Sequence, residues 1–198
     1  MGVTPARKPW TGSKYTDLLI IGESYHTIAP EYDTADVAYT IIPKVRDGEI
    51  EPRFHKAVAS VVTGQAPGEF DAEEFWNSVA FWNFVQRSMK DAKEQPTGAD
   101  FEDGHDRFLE LIQLTLKPRP CHILVVSQRV YRSMPPFEEP MLPELPGGCR
   151  SGWPGYYKTG DDSYAIAMAI DHPAARGWKA KDWHPLVHTF LQTPSRPP

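Results

Sequence analysis

Four short runs of apolar residues stand out along the chain, each bounded by turn-forming or charged residues. They lie at 17–22 (DLLIIG), near 79–85 (VAFWNFV), at 121–127 (CHILVVS) and at 164–170 (YAIAMAI). Short continuous apolar runs are typical of strands that are buried on both faces. The pattern therefore predicts four buried strands.

Helix signals occupy the segments between these runs. They are an Asp-x-x-Glu capping pattern at Asp71 and Glu74, a helix opened by Pro52 and stopped by Gly64, an apolar face before Pro118 (Phe108, Leu109, Leu111, Ile112), and a closing helix at DWHPLVHTFL. Alternating strand and helix signals indicate a sheet covered on both faces. We predict a three-layer α/β/α sandwich with a central, mainly parallel four-stranded sheet.

The length of the chain and one proline-rich stretch bear on domain organisation. With 198 residues and 40% hydrophobic content, the chain is predicted to form a single domain over residues 1–198. The stretch at 134–148, MPPFEEPMLPELPGG, is predicted to be a loop. Because it is long for a connection inside a compact domain, it is interpreted either as a functional flap or as a disordered insertion.

Composition excludes several classes of protein. No apolar run approaches the roughly 18 to 20 residues of a membrane span, and the first residues lack the apolar centre of a signal peptide. We therefore expect a cytoplasmic protein without a membrane partner, associated with the nucleoid if bacterial. Two cysteines, Cys121 and Cys149, are too few for a four-thiolate metal site. The net charge of -5 argues against nucleic-acid binding through bulk positive charge, although a local basic patch remains possible.

Polar side chains follow three of the four predicted strands. In open α/β sheets, ligands bind beyond the carboxyl ends of the strands. We therefore expect a site at this edge of the sheet, built from the residues that follow the first strand (Glu23, Ser24, Tyr25, His26), the aromatic strand (Asn83, Gln86) and the last strand (Asp171, His172, Arg176, Trp178).

Four segments carry a family resemblance. GESYH at 22–26 resembles the first motif of the uracil-DNA glycosylase superfamily, and DHPAARGW at 171–178 resembles the second. ILVVSQRVYRSM is similar to the strand and helix between these motifs, and AFWNFVQ to the strand that forms the wall of the pocket. The resemblance covers the chain from about Asp17 to Trp183. It implies a monomeric DNA glycosylase without metal or cofactor, which acts on a base flipped out of double- or single-stranded DNA.

The resemblance also implies roles for individual residues. His172 would donate a hydrogen bond to the departing base, which gains negative charge as the glycosidic bond breaks. Asn83 has both a donor and an acceptor and would read the edge of a pyrimidine. Backbone amides after Gly22 would assist, and the rest of the first motif (Ser24, Tyr25, His26) is predicted to bind the base.

For the contacts with the extruded base and with the DNA, more than one residue is a candidate. Either Tyr25 or Phe81 would stack on the base. Arg176 or Trp178 would fill the vacancy left in the duplex, with Lys179 and Lys181 placed to meet phosphates. Trp178 would otherwise anchor the closing helix in the core.

The first motif departs from the family pattern at the position that activates water. Many members place Asp or Asn there, whereas this chain has Glu23 and Ser24 with a one-residue gap. Glu23 is the first candidate because a carboxylate also stabilises the sugar cation, and Asp171 is the second. The substrate is left open between uracil, in base-excision repair, and a bulkier modified base such as those of phage DNA, in defence.

Two other classes of function are considered. Ser24 in place of the expected acid favours a catalytically inactive module of the same fold, which would bind nucleic acid or a protein partner. An unrelated α/β hydrolase is not favoured, because the chain has neither a Gly-x-Ser-x-Gly elbow nor a glycine-rich phosphate loop.

Overall fold

The computed structural model describes residues 7–26, 34–49, 53–91, 93–138 and 154–195. The strands are β1 (Trp10–Thr11), β2 (Leu18–Gly22), β3 (Tyr25–His26), β4 (Ala80–Asn83), β5 (Ser88–Met89), β6 (His122–Val125), β7 (Gly155–Gly160) and β8 (Ser163–Ala169). The helices are α1 (Val37–Arg46), α2 (Arg53–Thr63), α3 (Ala72–Ser78), α4 (Gly98–Glu110), which continues into a π-helical turn (Leu111–Thr115), α5 (Gln128–Ser133) and α6 (Ala180–Leu191).

The main sheet has six strands rather than the four predicted from the sequence. Its order is β1-β4-β2-β6-β8-β7, and β3 and β5 form a separate two-stranded sheet. The four central strands are parallel to one another and coincide with the four predicted runs. The two additional strands, β1 and β7, pair antiparallel at the edges. The protein is thus α/β, with a mixed but mainly parallel sheet.

The two edge strands were not predicted from the sequence, for a physical reason. β1 has only two residues, and β7 reads GYYKTG, in which glycine and lysine interrupt the apolar pattern. An edge strand has a neighbour on one side only and need not form a continuous apolar run. Tyr156 and Tyr157 of β7 are nevertheless buried, in the clusters on opposite faces of the sheet.

Successive side chains along the central strands point to opposite faces of the sheet and pack into two separate cores. Leu18 and Ile20 of β2 pack with α1, α2, α3 and α6 on one face. Leu19 and Ile21 pack with α4, the π-helical turn and α5 on the other. Every residue of β2 is buried, which explains why its sequence shows no polar alternation.

Two predicted helix boundaries are confirmed. The Asp71 side chain accepts a hydrogen bond of 2.9 Å from the backbone N–H of Glu74, which caps α3. α2 ends at Gly64, whose φ of 76° is readily adopted only by a residue without a side chain. Pro52, predicted to open the same helix, lies outside the described residues.

The first residues of the proline-rich loop pack against β7. The Tyr157 hydroxyl donates a 2.6 Å hydrogen bond to the carbonyl of Pro135, and the ring of Phe137 lies 4.9 Å from the ring of Tyr157. Residues 139–148 of the predicted loop lie outside the described residues, as does Cys149. None of the helices in the described part of the chain is long and apolar enough to cross a membrane.

Candidate functional site

The carboxyl ends of the parallel strands bring the first motif against the aromatic strand. Gly22 and Asn83 are paired in register at the ends of β2 and β4. The Asn83 side-chain oxygen occupies the place where a Cβ on residue 22 would lie, and the Phe81 ring reaches within 3.2 Å of the same place. Glycine at position 22 is therefore required for this close approach.

The loop that follows β4 holds Asn83 in place. Asn83 is only 4% exposed. Gln86 Nε2 donates a 2.6 Å hydrogen bond to the backbone carbonyl of Asn83. Beyond the strands, the amides of Phe84 and Val85 donate to the carbonyls of Gly22 and Glu23 at 3.0 and 2.8 Å. These bonds fix Asn83 relative to the first motif.

Glu23 lies at the centre of a hydrogen-bonded ion pair. Its Oε2 accepts from the Ser127 hydroxyl at 2.9 Å and from Arg129 Nε at 3.1 Å, and its Oε1 accepts from a second guanidinium nitrogen of Arg129. Burial raises the pKa of Glu23, but the hydrogen bonds from Arg129 and Ser127 outweigh it and leave the pKa below its ordinary value. Glu23 is therefore a carboxylate at neutral pH.

Ser127 and Arg129 were missed as site residues by the sequence analysis. They follow β6, so the signal was the same as at the other strands, namely polar residues directly after an apolar run. The Arg129 guanidinium also lies over the Phe101 ring, 5.5 Å from its centre, and this contact helps to orient it. Both residues thus join the site at the carboxyl edge.

His172 is oriented by the turn that follows β8. Its Nδ1 accepts a 3.1 Å hydrogen bond from the backbone N–H of Ala174, so the proton of the neutral ring is on Nε2. Burial lowers the pKa of His172, and the opposing charge of Glu23 offsets this only in part. The ring is therefore neutral at pH 7, with an N–H donor at Nε2.

Phe54 of α2 covers the His172 ring and was not singled out from the sequence. The two rings are stacked, with centroids 5.4 Å apart and an angle of 26° between planes. Phe54 also meets Phe81 edge-on at 6.2 Å. Phe54 is half-buried, whereas Phe81 is only 2% exposed. Of these two rings, Phe54 is the more accessible.

The remaining residues of the first motif have other partners, and His26 lies close enough to His172 to act on its pKa. Tyr25 is 8% exposed and lies under the Arg7 guanidinium, 4.9 Å from its ring, and burial raises its pKa. Ser24 Oγ and His26 Nε2 are 3.1 Å apart. His26 Nδ1 donates to the Asp91 carbonyl at 3.1 Å. Both Tyr25 and His26 belong to the small β3–β5 sheet.

The loop after β8 differs from the first motif in its exposure. Arg176 is exposed next to Gly177, whose φ is 77°, while Asp171 is half-buried. Trp178 packs against the core beneath α2 and α6, as expected of a residue that anchors the closing helix. Lys179 and Lys181 are exposed at the start of α6.

No family model matches the sequence, and no curated protein matches it significantly. Within the part of the chain that the structure describes, no group of three or more His, Cys, Asp or Glu side chains is placed to hold a metal ion. Function is therefore inferred from the geometry of the site.

Proposed function

We propose that this protein is a DNA glycosylase with a uracil-DNA glycosylase-like fold, which hydrolyses the N-glycosidic bond of a flipped-out uracil or modified pyrimidine. The observation that supports this most strongly is the pairing of unlike groups at the carboxyl edge. Glu23 is an ionised carboxylate, and His172 is a neutral imidazole whose Nε2 bears the proton. Breaking a glycosidic bond develops positive charge on the sugar and negative charge on the base, and these two groups match the two charges.

In this mechanism His172 acts on the departing base. Its Nε2–H donates to a base oxygen that gains negative charge, and the N–H of Ala174 holds the ring in the required tautomer. Removing one such donor costs about 10² to 10³ in rate in well-studied enzymes. A neutral donor also avoids the cost of placing a cation in a partly buried site.

Glu23 acts on the sugar and on water. An ionised carboxylate has about four lone-pair positions, of which three are used by Ser127 and Arg129. The remaining position on Oε1 accepts a hydrogen bond from the attacking water, while the carboxylate charge stabilises the sugar cation. Asp171 stays the second candidate for this role.

Recognition of the base rests on Asn83 with aromatic support. The buried Asn83 amide offers one donor and one acceptor face to a pyrimidine edge. Phe54 and Phe81 form the aromatic wall beside His172, and Phe54 is the ring that is accessible enough to stack on a base. Arg176 fills the vacancy in the duplex, and Lys179 and Lys181 meet phosphates.

One observation favours a second function, a binding module without catalysis. The Arg129 guanidinium neutralises Glu23 and occupies both of its oxygens. A carboxylate so engaged is a weaker base and a weaker partner for a sugar cation. In that case the same edge would bind nucleic acid or a protein without breaking a bond.

An excision assay separates the two functions. The protein is incubated with duplexes that contain uracil, thymine mismatches or modified cytosines, and the products are heated in alkali. We expect strand scission at one type of base, and at least a tenfold loss with Glu23→Gln, as is usual for a group that assists proton transfer. Glu102→Gln, an exposed change on α4, is the matched control. Duplex binding without scission at any base would contradict the glycosylase and support the binding module.

A further inference from the structure

A cleft lies beside α2. It has a volume of about 550 Å³ and is formed by α2, the turn after it and the beginning of α6. Four cations line it: Arg53, Lys56, Lys179 and Lys181. None of the described residues that line it is acidic, although Asp and Glu outnumber Lys and Arg by 26 to 21 in the whole chain. The cleft is thus a local concentration of positive charge.

Two buried polar groups in the lining have no partner among the described residues. Ser60 is 1% exposed, and its hydroxyl forms no hydrogen bond. The indole nitrogen of Trp178 is also buried and unbonded. Buried polar groups are nearly always satisfied, and an unsatisfied one costs about 1 to 3 kcal/mol. A ligand with acceptor oxygens, seated in the cleft, would satisfy both groups.

The beginning of α6 adds a third feature. Lys179 precedes the helix and provides no side-chain cap, so the first backbone N–H groups of this twelve-residue helix have no side-chain acceptor there. Helix N-termini, lysine, arginine and serine hydroxyls are the groups that bind phosphate oxygens in protein–DNA complexes. The chemistry of the cleft therefore fits a phosphodiester.

The position of the cleft relates it to the candidate active site. Phe54 stacks on His172, and its neighbour Arg53 lines the cleft. Arg176 lies on the loop that joins His172 to Lys179.

We propose that the cleft between α2 and α6 binds the phosphate backbone of the DNA strand that contains the target base. This proposal rests on the proposed function for the identity of the strand. It adds α2, through Arg53, Lys56 and Ser60, to the DNA-binding surface.

The test measures binding to a labelled 20-base-pair duplex that lacks any target base, so that catalysis does not enter. Affinity is measured over a range of salt concentrations for the wild type and for Lys179→Gln with Lys181→Gln. We expect the double variant to lose about tenfold in affinity near 0.1 M salt. The slope of log K against log salt should become shallower by about 1.8, the value for two lost phosphate contacts on a duplex.

A matched control uses lysines at the opposite edge of the sheet. Lys14 and Lys117 are exposed and precede β2 and β6. Lys14→Gln with Lys117→Gln removes the same charge and should leave the slope at its wild-type value. Equal slopes in the two double variants would overturn the proposal, as would failure of the wild type to bind the duplex at low salt.

Ser60→Ala tests the cleft without changing its charge. It should weaken binding by about fivefold, the usual effect of one lost hydrogen bond, with no change in slope. Unchanged affinity would contradict a role for Ser60 in the cleft. Inorganic phosphate is added separately, and saturation in the same concentration range as the duplex would reassign the cleft to small anions and overturn the proposal.

Failure of the cleft proposal can be distinguished from failure of the proposed glycosylase function. If no base is excised but the cleft variants still weaken duplex binding, the cleft stands and the glycosylase fails. If excision occurs and the cleft variants bind like the wild type, the glycosylase stands and the cleft proposal fails.

Discussion

Two histidines contact the ring of Phe54 from different sides, and they differ in what surrounds them. His172, at the sheet edge, is stacked on Phe54 and receives a hydrogen bond from Ala174. His55, in the core, meets Phe54 edge-on at 5.2 Å, and neither of its ring nitrogens has a partner among the described residues. Burial lowers the pKa of both, that of His55 to about 4.

A lowered pKa alone therefore does not distinguish the two histidines. His55 is enclosed by Trp76 and Phe81, with ring centroids at 5.4 and 5.6 Å, and within the described part of the chain no charged side chain contributes to the shift of its pKa. His172 has a fixed tautomer and the carboxylate of Glu23 acting on it. We infer that His172 takes part in chemistry and that His55 is structural.

The largest effect is expected from the histidine at the sheet edge. His172→Ala should lower the single-turnover excision rate by about 10² or more, because it removes a preorganised donor to the departing base. Thermal unfolding should change little, since the ring is only partly buried. His188→Ala, an exposed change on α6, is the control. A folded His172→Ala protein with wild-type turnover would remove His172 from the mechanism.

The core histidine should instead affect stability, and in a pH-dependent way. Because the pKa of His55 falls from 6.5 to about 4 on folding, the unfolded chain binds a proton between these values that the folded protein does not. Stability therefore falls as the pH drops below 6.5. At pH 5 the loss from His55 is about 2 kcal/mol, at about 1.4 kcal/mol per pH unit.

His55→Phe should remove this part of the pH dependence. Urea unfolding of the wild type and the variant at pH 7.5 and pH 5 measures it directly. We expect the wild type to lose about 2 kcal/mol more than the variant over this interval. An equal loss in both proteins would show that His55 does not titrate on unfolding, and a loss of excision activity in the variant would place His55 in the site after all.

Asn83 tests whether base reading lies on the same edge as His172. Asn83→Asp should change the preference among bases by about tenfold while affecting DNA binding less, because a carboxylate cannot donate to a base carbonyl. Excision is compared over a panel of duplexes at equal occupancy. An unchanged order of preference in a folded variant would assign base reading to another residue.

Arg176 should give an effect that depends on the substrate and is small on single-stranded DNA. Opening a duplex costs a few kcal/mol, and an inserted side chain offsets part of this cost. Arg176→Ala should slow excision from a paired duplex by roughly tenfold and from single-stranded DNA much less. Equal slowing on both substrates would indicate a contact with phosphate or with the reacting base instead.

The amino-acid sequence by itself determined the centre of the sheet and the edge at which polar side chains gather. Runs such as DLLIIG are apolar at every position, and only a central strand covered on both faces buries such a run. The four strands are parallel, so the residues that follow them meet at one edge. The placement of Glu23, Asn83 and His172 at this edge was predictable for this reason.

Only the tertiary structure decided which side chains meet there. Arg129 reaches Glu23 from 106 positions further along the chain, and nothing near either residue indicates that pairing. The periodicity of α2 predicts a helix, but it does not predict what each side chain contacts. Phe54 lies beside His172, whereas His55 lies in the core, because of how the helix is rotated against its neighbours. The cationic cleft likewise joins α2 to the start of α6. Hydrophobic periodicity fixes which faces are buried, whereas long-range pairings depend on how helices pack, which local sequence does not encode.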